Sequence, residues 1–180
     1  LFANSSVLGL YPKFGFERVR EYSYFKSVTK NIKNDAKIEK INMNLQANRD
    51  RLYDYAKNTQ VFGKLSMQEN ADLVMFYCTS FLQENVYYLK PPLDAIVVAV
   101  LDDHQLHLWD VFAKHEIDLE QVIDSLSSFE ADEIVLGFTP KDCTSYQEKE
   151  VVGGDTLFIQ QGKTKLFDEN QIMFPLLSHA

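Results

Sequence analysis

Histidines and aspartates are concentrated between residues 102 and 110, a composition that could support a metal site. The residues concerned are Asp102, Asp103, His104, His107 and Asp110. Apolar and polar residues alternate on both sides, so the segment predicts the end of one strand, a tight connection and the next strand. Side chains three positions apart on a strand point to opposite faces, so the two imidazole rings diverge. We therefore expect no bound metal ion.

Other groups that could support chemistry lack the neighbours that such chemistry needs. Cys143 and Ser145 are potential nucleophiles, but no histidine lies near them in sequence to act as a base. Gly153 and Gly154 precede a predicted strand instead of a helix, which argues against a phosphate-binding loop. Cys78 and Cys143 belong to no Cys-x-x-Cys motif. Two reduced thiols are the expected state, with a single disulfide as the lesser alternative.

The charge and hydropathy of the chain limit its partners. The 180 residues include 18 Lys and Arg against 26 Asp and Glu, a net charge of −8, so the basic surface that nucleic acid requires is missing. Hydrophobic residues make up 46% of the chain, enough for a buried core. No apolar run is long enough to span a bilayer, and no signal peptide precedes the first motif. We predict a cytoplasmic protein that binds neither nucleic acid nor membranes.

The hydrophobic periodicity predicts an α/β protein of the layered α+β type, with a mixed, largely antiparallel sheet flanked by helices. The predicted helices are a short one after the capping residues 4–6, two that begin at Asn48 and Asn70, and one over 118–129. The predicted strands cover 16–25, 38–43, 85–90, 94–102, 105–113 and 133–138. A final hairpin is predicted from TLFIQQ and TKLFD around Gly162.

Residues 4–16, NSSVLGLYPKFGF, must position any chemistry at the start of the chain. Asn4 is a good helix cap because its side chain can accept a bond from the first free N–H groups. Pro12 removes an N–H group and should end or kink the helix, and Gly15 permits a turn. By itself, Tyr11 would be expected to pack its ring on the core.

The same stretch resembles the last conserved region of GNAT N-acetyltransferases. In that family an Asn ends a central strand, and the following helix carries a Tyr shortly before a Gly-Phe pair. The matching residues here are Asn4, Tyr11, Gly15 and Phe16. The resemblance covers the first 26 or so residues directly, and the residue types and spacing agree over the whole motif.

The resemblance implies transfer of an acetyl group from acetyl-CoA to a primary amine. A phenol, with an ordinary pKa of about 10, can protonate a thiolate whose conjugate acid has a pKa of roughly 8.5–10. Tyr11 is therefore expected to act as the general acid for the departing thiolate. Asn4 is expected to orient the pantetheine amides of acetyl-CoA, alone or in addition to capping a helix. The acceptor could be a small amine, an antibiotic, a protein N-terminus or a lysine, and the sequence identifies no base.

Residues 38–129 also follow the GNAT order of a strand, two helices, three antiparallel strands and a helix. GNAT enzymes usually carry an Arg/Gln-x-x-Gly-x-Gly/Ala loop before that last helix, and its N–H groups bind pyrophosphate. The equivalent stretch here, residues 110–121, contains no glycine and carries Asp118 and Glu120, which should repel phosphate. We predict that residues 1–30 are the C-terminal remnant of a GNAT catalytic domain and residues 37–180 a degenerate GNAT-like domain, joined by a polar linker.

Two functions follow from this organisation. In the first, the chain is an incomplete part of an N-acetyltransferase, and the phosphate loop of its first domain would lie before Leu1. In the second, it is a non-catalytic GNAT-like binding or oligomerisation module. The edge of a truncated sheet further predicts pairing with another copy of the chain or with a separate N-terminal piece.

Overall fold

The computed structural model describes residues 1–28 and 38–179, which form ten β-strands and four α-helices within those ranges. The strands are β1 (Phe2–Ala3), β2 (Phe16–Arg18), β3 (Tyr22–Ser27), β4 (Ile38–Lys40), β5 (Val86–Leu89), β6 (Ala95–Asp102), β7 (Gln105–Ala113), β8 (Glu133–Leu136), β9 (Gln147–Glu150) and β10 (Thr156–Gln160). The helices are α1 (Gln46–Lys57), α2 (Ala71–Thr79), α3 (Leu119–Ser125) and α4 (Lys165–Asn170).

Seven of the strands form one large sheet in the order β4-β5-β6-β7-β8-β3-β9. All neighbouring pairs are antiparallel except β7 and β8, which run parallel. A parallel pair needs a long crossover connection, and α3 lies between these two strands in the sequence. The result is an α+β fold with a mixed, mostly antiparallel sheet flanked by helices, which confirms the predicted fold class.

The large sheet separates two hydrophobic cores because its central strands are apolar on both faces. Residues 95–99 of β6 are fully buried. On one face, Leu108 of β7 belongs to a core that includes Val122 of α3. On the other face, Phe112 of β7 belongs to a core that includes Leu52 of α1 and Val74 of α2. The helices are thus held by their apolar stripes on both sides of the sheet.

A second, smaller sheet has the order β1-β10-β2, and both of its pairings are antiparallel. Its middle strand, β10, comes from the C-terminal part of the chain. Conversely, β3 from the N-terminal part lies between β8 and β9 of the large sheet, where Tyr24 faces Leu136 on one side and Glu148 on the other. The two parts of the chain therefore exchange strands.

The structure corrects the sequence-based prediction near both ends of the chain. Residues 165–170 form helix α4, so the hairpin predicted around Gly162 is wrong, and β10 pairs with β1 and β2 instead. The helix predicted after Asn4 is replaced by two 3₁₀ turns, Ser5–Val7 and Tyr11–Phe14. Strand β9 was missed because its four residues are polar and exposed, so it has no hydrophobic pattern.

The predicted division into residues 1–30 and 37–180 stays a prediction. Of the polar linker predicted at 27–37, Ser27 belongs to β3, and residues 29–37 lie outside the described residues. Pairing through a sheet edge likewise stays a prediction, with the two-residue strand β1 at the edge concerned. Cys78 and Cys143 are both free thiols, as expected. Across the described ranges, none of the helices has both the length and the apolar character needed to cross a membrane.

Candidate functional site

The parallel strands β7 and β8 separate beyond Leu108 and Leu136, the last pair in their register. Immediately after it, Gly137 donates its N–H to the Leu108 carbonyl at 2.7 Å. A Cβ atom at Gly137 would lie 2.6 Å from the Trp109 carbonyl oxygen, so only glycine fits this close approach. β7 then continues to Ala113 while β8 ends. The crevice at the carboxyl ends of parallel strands is where open sheets usually bind ligands.

Residues 59–64, called here the bridging segment, lie between the two diverging chains. At one end, Gln60 donates its N–H to the carbonyl of Ala113 at 2.7 Å. At the other, Lys64 donates its N–H to the carbonyl of Thr139 at 2.8 Å. Backbone groups that a ligand in the crevice would use are therefore already paired within the chain.

The centre of the bridging segment is buried. Phe62 is 8% exposed and belongs to the core that includes α3. Gly63 forms an antiparallel bridge with Pro140, and a Cβ atom there would lie 3.0 Å from the Leu65 carbonyl oxygen. The bridging segment is thus packed as part of the core and closes the crevice.

The GNAT resemblance implies a pyrophosphate site at the N-terminus of α3. Asp118 caps this helix by accepting the N–H of Glu120 at 3.1 Å. The Glu120 carboxylate pairs with Lys26 and accepts the Tyr146 hydroxyl at 2.7 Å. Burial raises the pKa of Glu120, but its bonds to Lys26 and Tyr146 outweigh burial and hold the pKa below its ordinary value. Two carboxylates occupy this helix terminus, so an acetyl-CoA pyrophosphate does not fit there.

Asn4 precedes the first 3₁₀ turn and caps it. Its Oδ1 accepts the N–H of Ser6 at 3.0 Å and also the Ser6 hydroxyl. Within the part of the chain that the structure describes, the Asn4 Nδ2 donates no hydrogen bond, and the residue is exposed. The side chain therefore holds the local turn through its oxygen and presents its amide donor to solvent.

Tyr11 begins the second 3₁₀ turn and is half-buried. Its ring lies edge-on to Phe16, with ring centroids 6.4 Å apart, and tilted against Phe158 of β10 at 5.5 Å. Gly15 ends the turn at a φ of 78°, which favours glycine. Among residues 1–28 and 38–179, no group accepts or donates a hydrogen bond to the Tyr11 hydroxyl. The ring is therefore anchored while the hydroxyl is available.

A cavity of about 580 Å³ opens between residues 59–70, α2 and the later half of β7. The register of β6 and β7 shifts beside it, because Val98 faces Asp110 and Ala99 faces Leu108. Trp109 is thus an extra residue in a β-bulge, a feature that re-aims neighbouring side chains. Asp110 lines the cavity as a result.

Asp110 is a carboxyl group in apolar surroundings. Burial raises its pKa to about 7, and the bond that its Oδ1 accepts from the Val111 N–H at 2.8 Å opposes the shift only in part. Cys78 of α2 lies close enough to Asp110 for the carboxylate charge to affect the pKa of its thiol. Burial, and then Asp110, raise the pKa of Cys78 to about 12, so this thiol stays protonated and inert at neutral pH.

Asn70, which precedes α2, also lines the cavity. Its Nδ2 donates to the Leu177 carbonyl and to the Ser178 hydroxyl, both at 3.0 Å. Its Oδ1 is buried and has no partner within the described ranges. Buried acceptors without a donor are rare in native proteins, so this oxygen requires a donor from a water molecule or a ligand.

The histidine and aspartate cluster of the sequence is dispersed in the structure. His104 lies in the β6–β7 turn, 3.8 Å from Asp132, whereas His107 lines a separate depression of about 350 Å³. Asp110 faces the cavity described above. The described residues hold no group of three or more potential metal ligands.

In the sequence, Asp110 was a candidate only as a metal ligand, and Asn70 was only the start of a predicted helix. The signal that could have identified Asp110 is a carboxylate inside the otherwise apolar run LHLWDVFA of β7. A lone acidic residue at such a position is expensive to bury and usually has a function. Asn70 carried no comparable signal, because the burial of its oxygen depends on the distant tail at Leu177 and Ser178.

No family model and no curated protein matches this sequence. Solved structures do match it in part. A GCN5-related N-acetyltransferase from Kribbella flavida overlaps with a TM-score of 0.48 at 14% identity, over 88% of this chain and 41% of that protein. Eis1 from Mycobacterium abscessus overlaps with a TM-score of 0.46 at 13% identity, over 88% of this chain and 46% of that protein.

A third structure, a conserved protein of unknown function from Staphylococcus epidermidis, overlaps with a TM-score of 0.38 at 16% identity, over 93% of this chain and 62% of that protein. The chain thus spans less than half the length of the first two proteins and less than two thirds of the third. The first of the three belongs to the family that residues 4–16 resemble.

Proposed function

We propose that this protein is a GNAT-type N-acetyltransferase that transfers an acetyl group from acetyl-CoA to a primary amine. The observation that supports the proposal best is the unpartnered hydroxyl of Tyr11 on a ring held by Phe16 and Phe158. A general acid needs this combination of a fixed ring and an available proton. The small-sheet site, defined as Asn4 and Tyr11, is therefore assigned to the reaction.

The roles of the two residues follow from their free atoms. When bound, acetyl-CoA would supply the acyl group that the amine takes up. The amine nitrogen would form a bond to the acetyl carbon as the bond from that carbon to sulfur breaks. The Tyr11 hydroxyl would give its proton to the departing sulfur and recover the proton that the amine nitrogen loses, and the Asn4 Nδ2 would donate a hydrogen bond to an amide carbonyl of the pantetheine arm. The large sheet takes no part in this step, because its crevice and the α3 terminus are filled by the chain's own groups.

A coupled assay tests the proposal. Thiol release from acetyl-CoA is measured with a panel of small primary amines and peptides, for the wild type, Tyr11→Phe and Tyr22→Phe. We expect amine-dependent release that falls by roughly 10²-fold in Tyr11→Phe, with the loss in kcat, because one general acid contributes about that factor. Tyr22 is a half-buried tyrosine of β3 and serves as the matched control.

Two results would contradict the proposal. Equal rates for Tyr11→Phe and the wild type would remove Tyr11 from the reaction. No acetyl-CoA binding by calorimetry, together with no thiol release, would leave this chain without transferase activity.

The filled crevice favours a second candidate function for residues 38–179, a non-catalytic GNAT-like binding or oligomerisation module. Analytical ultracentrifugation of the protein tests its assembly form, since an oligomerisation module predicts a concentration-dependent dimer. A monomer at all concentrations would argue against assembly and leave ligand binding as the role of this module.

A further inference from the structure

The cavity between residues 59–70, α2 and β7 carries an excess of negative charge. Its lining includes the carboxyl groups of Glu69, Asp72 and Asp110 and the single ammonium group of Lys57. Lys57, Glu69 and Asp72 are exposed, whereas Asp110 lies on the sheet and is half-buried. A concave surface with this balance concentrates cations, because low-dielectric walls focus the field of the carboxylates.

The uncharged part of the lining combines an apolar wall with polar side chains, among them Thr59, Gln60 and Ser66. Val74 of α2, Phe112 of β7 and Phe138 after β8 contribute buried hydrophobic side chains to the cavity wall. Small-molecule sites commonly combine such walls with a few fixed polar groups. We propose that this cavity binds a small organic ammonium ion with an apolar body, whose charged end pairs with the carboxylate of Asp110.

Asp110 lacks the counter-ion that a carboxylate in its position needs. Throughout residues 1–28 and 38–179, no Lys, Arg or His forms an ion pair with it, and its one hydrogen bond comes from the Val111 N–H. A carboxylate that is partly removed from water and has no cation beside it is less stable than one that is paired. Burial therefore raises its pKa to about 7, so the group is charged in a large fraction of molecules at neutral pH. A bound ammonium ion supplies the missing charge.

Asn70 adds a second acceptor on the same cavity lining. Its Nδ2 is used by Leu177 and Ser178, so the amide orientation is fixed and Oδ1 is the atom left without a partner. An ammonium group has three N–H donors and no acceptor, which suits a site composed of acceptors.

This site is independent of the acetyl transfer proposed for Asn4 and Tyr11. It lies beside the large sheet, and its lining includes neither Asn4 nor Tyr11. The ammonium ion is therefore bound without being modified, and the cavity acts as a recognition site.

Benzylamine and benzyl alcohol form a matched pair of probes, since they share a ring and differ in charge. Each is titrated into the isotopically labelled protein at pH 8, and amide shifts are followed by NMR. We expect saturable shifts for benzylamine at residues 69–72 and 109–112, with affinity at least about tenfold above that of benzyl alcohol. Asp110→Asn should lower the affinity for benzylamine by about tenfold or more. Asp102 is an exposed aspartate at the far end of β6, so Asp102→Asn should leave that affinity unchanged.

Three outcomes would overturn the proposal. The first is equal affinity for the charged and neutral probes, which needs only the wild type and so does not depend on a variant that folds. The second is unchanged benzylamine affinity in Asp110→Asn. The third is the absence of saturable shifts at the cavity.

Discussion

Polar groups beside the two sheets of this protein differ in whether they have hydrogen-bond partners within the chain. In the small sheet, the Tyr11 hydroxyl and the Asn4 amide donor have no partner among the described residues, and both residues lie at or near the surface. In the large sheet, the bridging segment pairs with Ala113 and Thr139. The comparison indicates that the chain's own backbone groups satisfy the hydrogen-bonding groups of the large-sheet crevice, whereas two donors beside the small sheet stay available.

The closure of the large sheet depends on side-chain volume at two places. Phe62 fills the crevice, and Gly137 allows the strands to meet at its base. In the turn that contains Tyr11, by contrast, Phe14 is 69% exposed. Substitutions of Phe62 and Gly137 therefore test whether the packing of these two residues keeps the crevice closed.

The largest expected effect is on the bridging segment. Phe62→Ala should lower the free energy of unfolding by about 3–5 kcal/mol, because it removes a buried ring from the core. Urea unfolding measures this change. Phe81→Ala is the control, since Phe81 is 73% exposed and its loss should cost well under 1 kcal/mol. If the two variants unfolded at the same urea concentration, Phe62 would not be a packing element.

The next effect concerns the base of the crevice. Gly137→Ala should destabilise the fold by about 1–3 kcal/mol, because its Cβ would lie 2.6 Å from the Trp109 carbonyl oxygen and force β7 and β8 apart. Gly9→Ala is the matched control, since nothing lies within 4 Å of its Cβ position. Thermal unfolding compares the two. Equal melting temperatures would show that the strands tolerate separation at this point.

The smallest effect is a dependence of stability on pH. The folded pKa of Asp110, about 7, lies above its ordinary value, so the folded state keeps a proton that the unfolded state loses. The contribution of Asp110 to wild-type stability should therefore fall as the pH rises from about 4 to about 7. The Asp110→Asn variant has no carboxyl group at this position to ionise. Its free energy of unfolding should therefore rise relative to that of the wild type over that window, and the gain should be about 1–2 kcal/mol at pH 8.

Urea titrations of both proteins at several pH values measure this difference, in which the contributions of other titrating groups cancel. A difference that stays constant from pH 4 to pH 8 would mean that Asp110 is solvated and titrates normally.

The sequence predicted most of the large sheet, because its strands and helices have strong hydrophobic periodicity. The range 105–113 predicted for β7 agrees with the structure to the residue, and the order of elements from β4 to β8 was predicted correctly. The exposed strand β9 and the partners of β10 were not predictable, since both depend on pairing with residues more than 100 positions away.

The candidate sites were predictable to a smaller degree. Tyr11 and Asn4 were found from a motif with specific spacing, although their roles stay a prediction. The cavity was not found, because it depends on a β-bulge at Trp109 and on the tail that reaches Asn70. Bulges and long-range contacts leave no periodic signal in a single sequence.

The positions of β3 and β10 in the two sheets limit the order in which the sheets can form. During synthesis β3 emerges more than 100 residues before β8 and β9, between which it must insert, and β10 emerges last to join β1 and β2. The large sheet cannot be completed before residue 150 is synthesised, nor the small sheet before residue 160, and such distant contacts make folding slow. The strands that await these partners stay unpaired during translation, when a chaperone that covers exposed strands would be of most use.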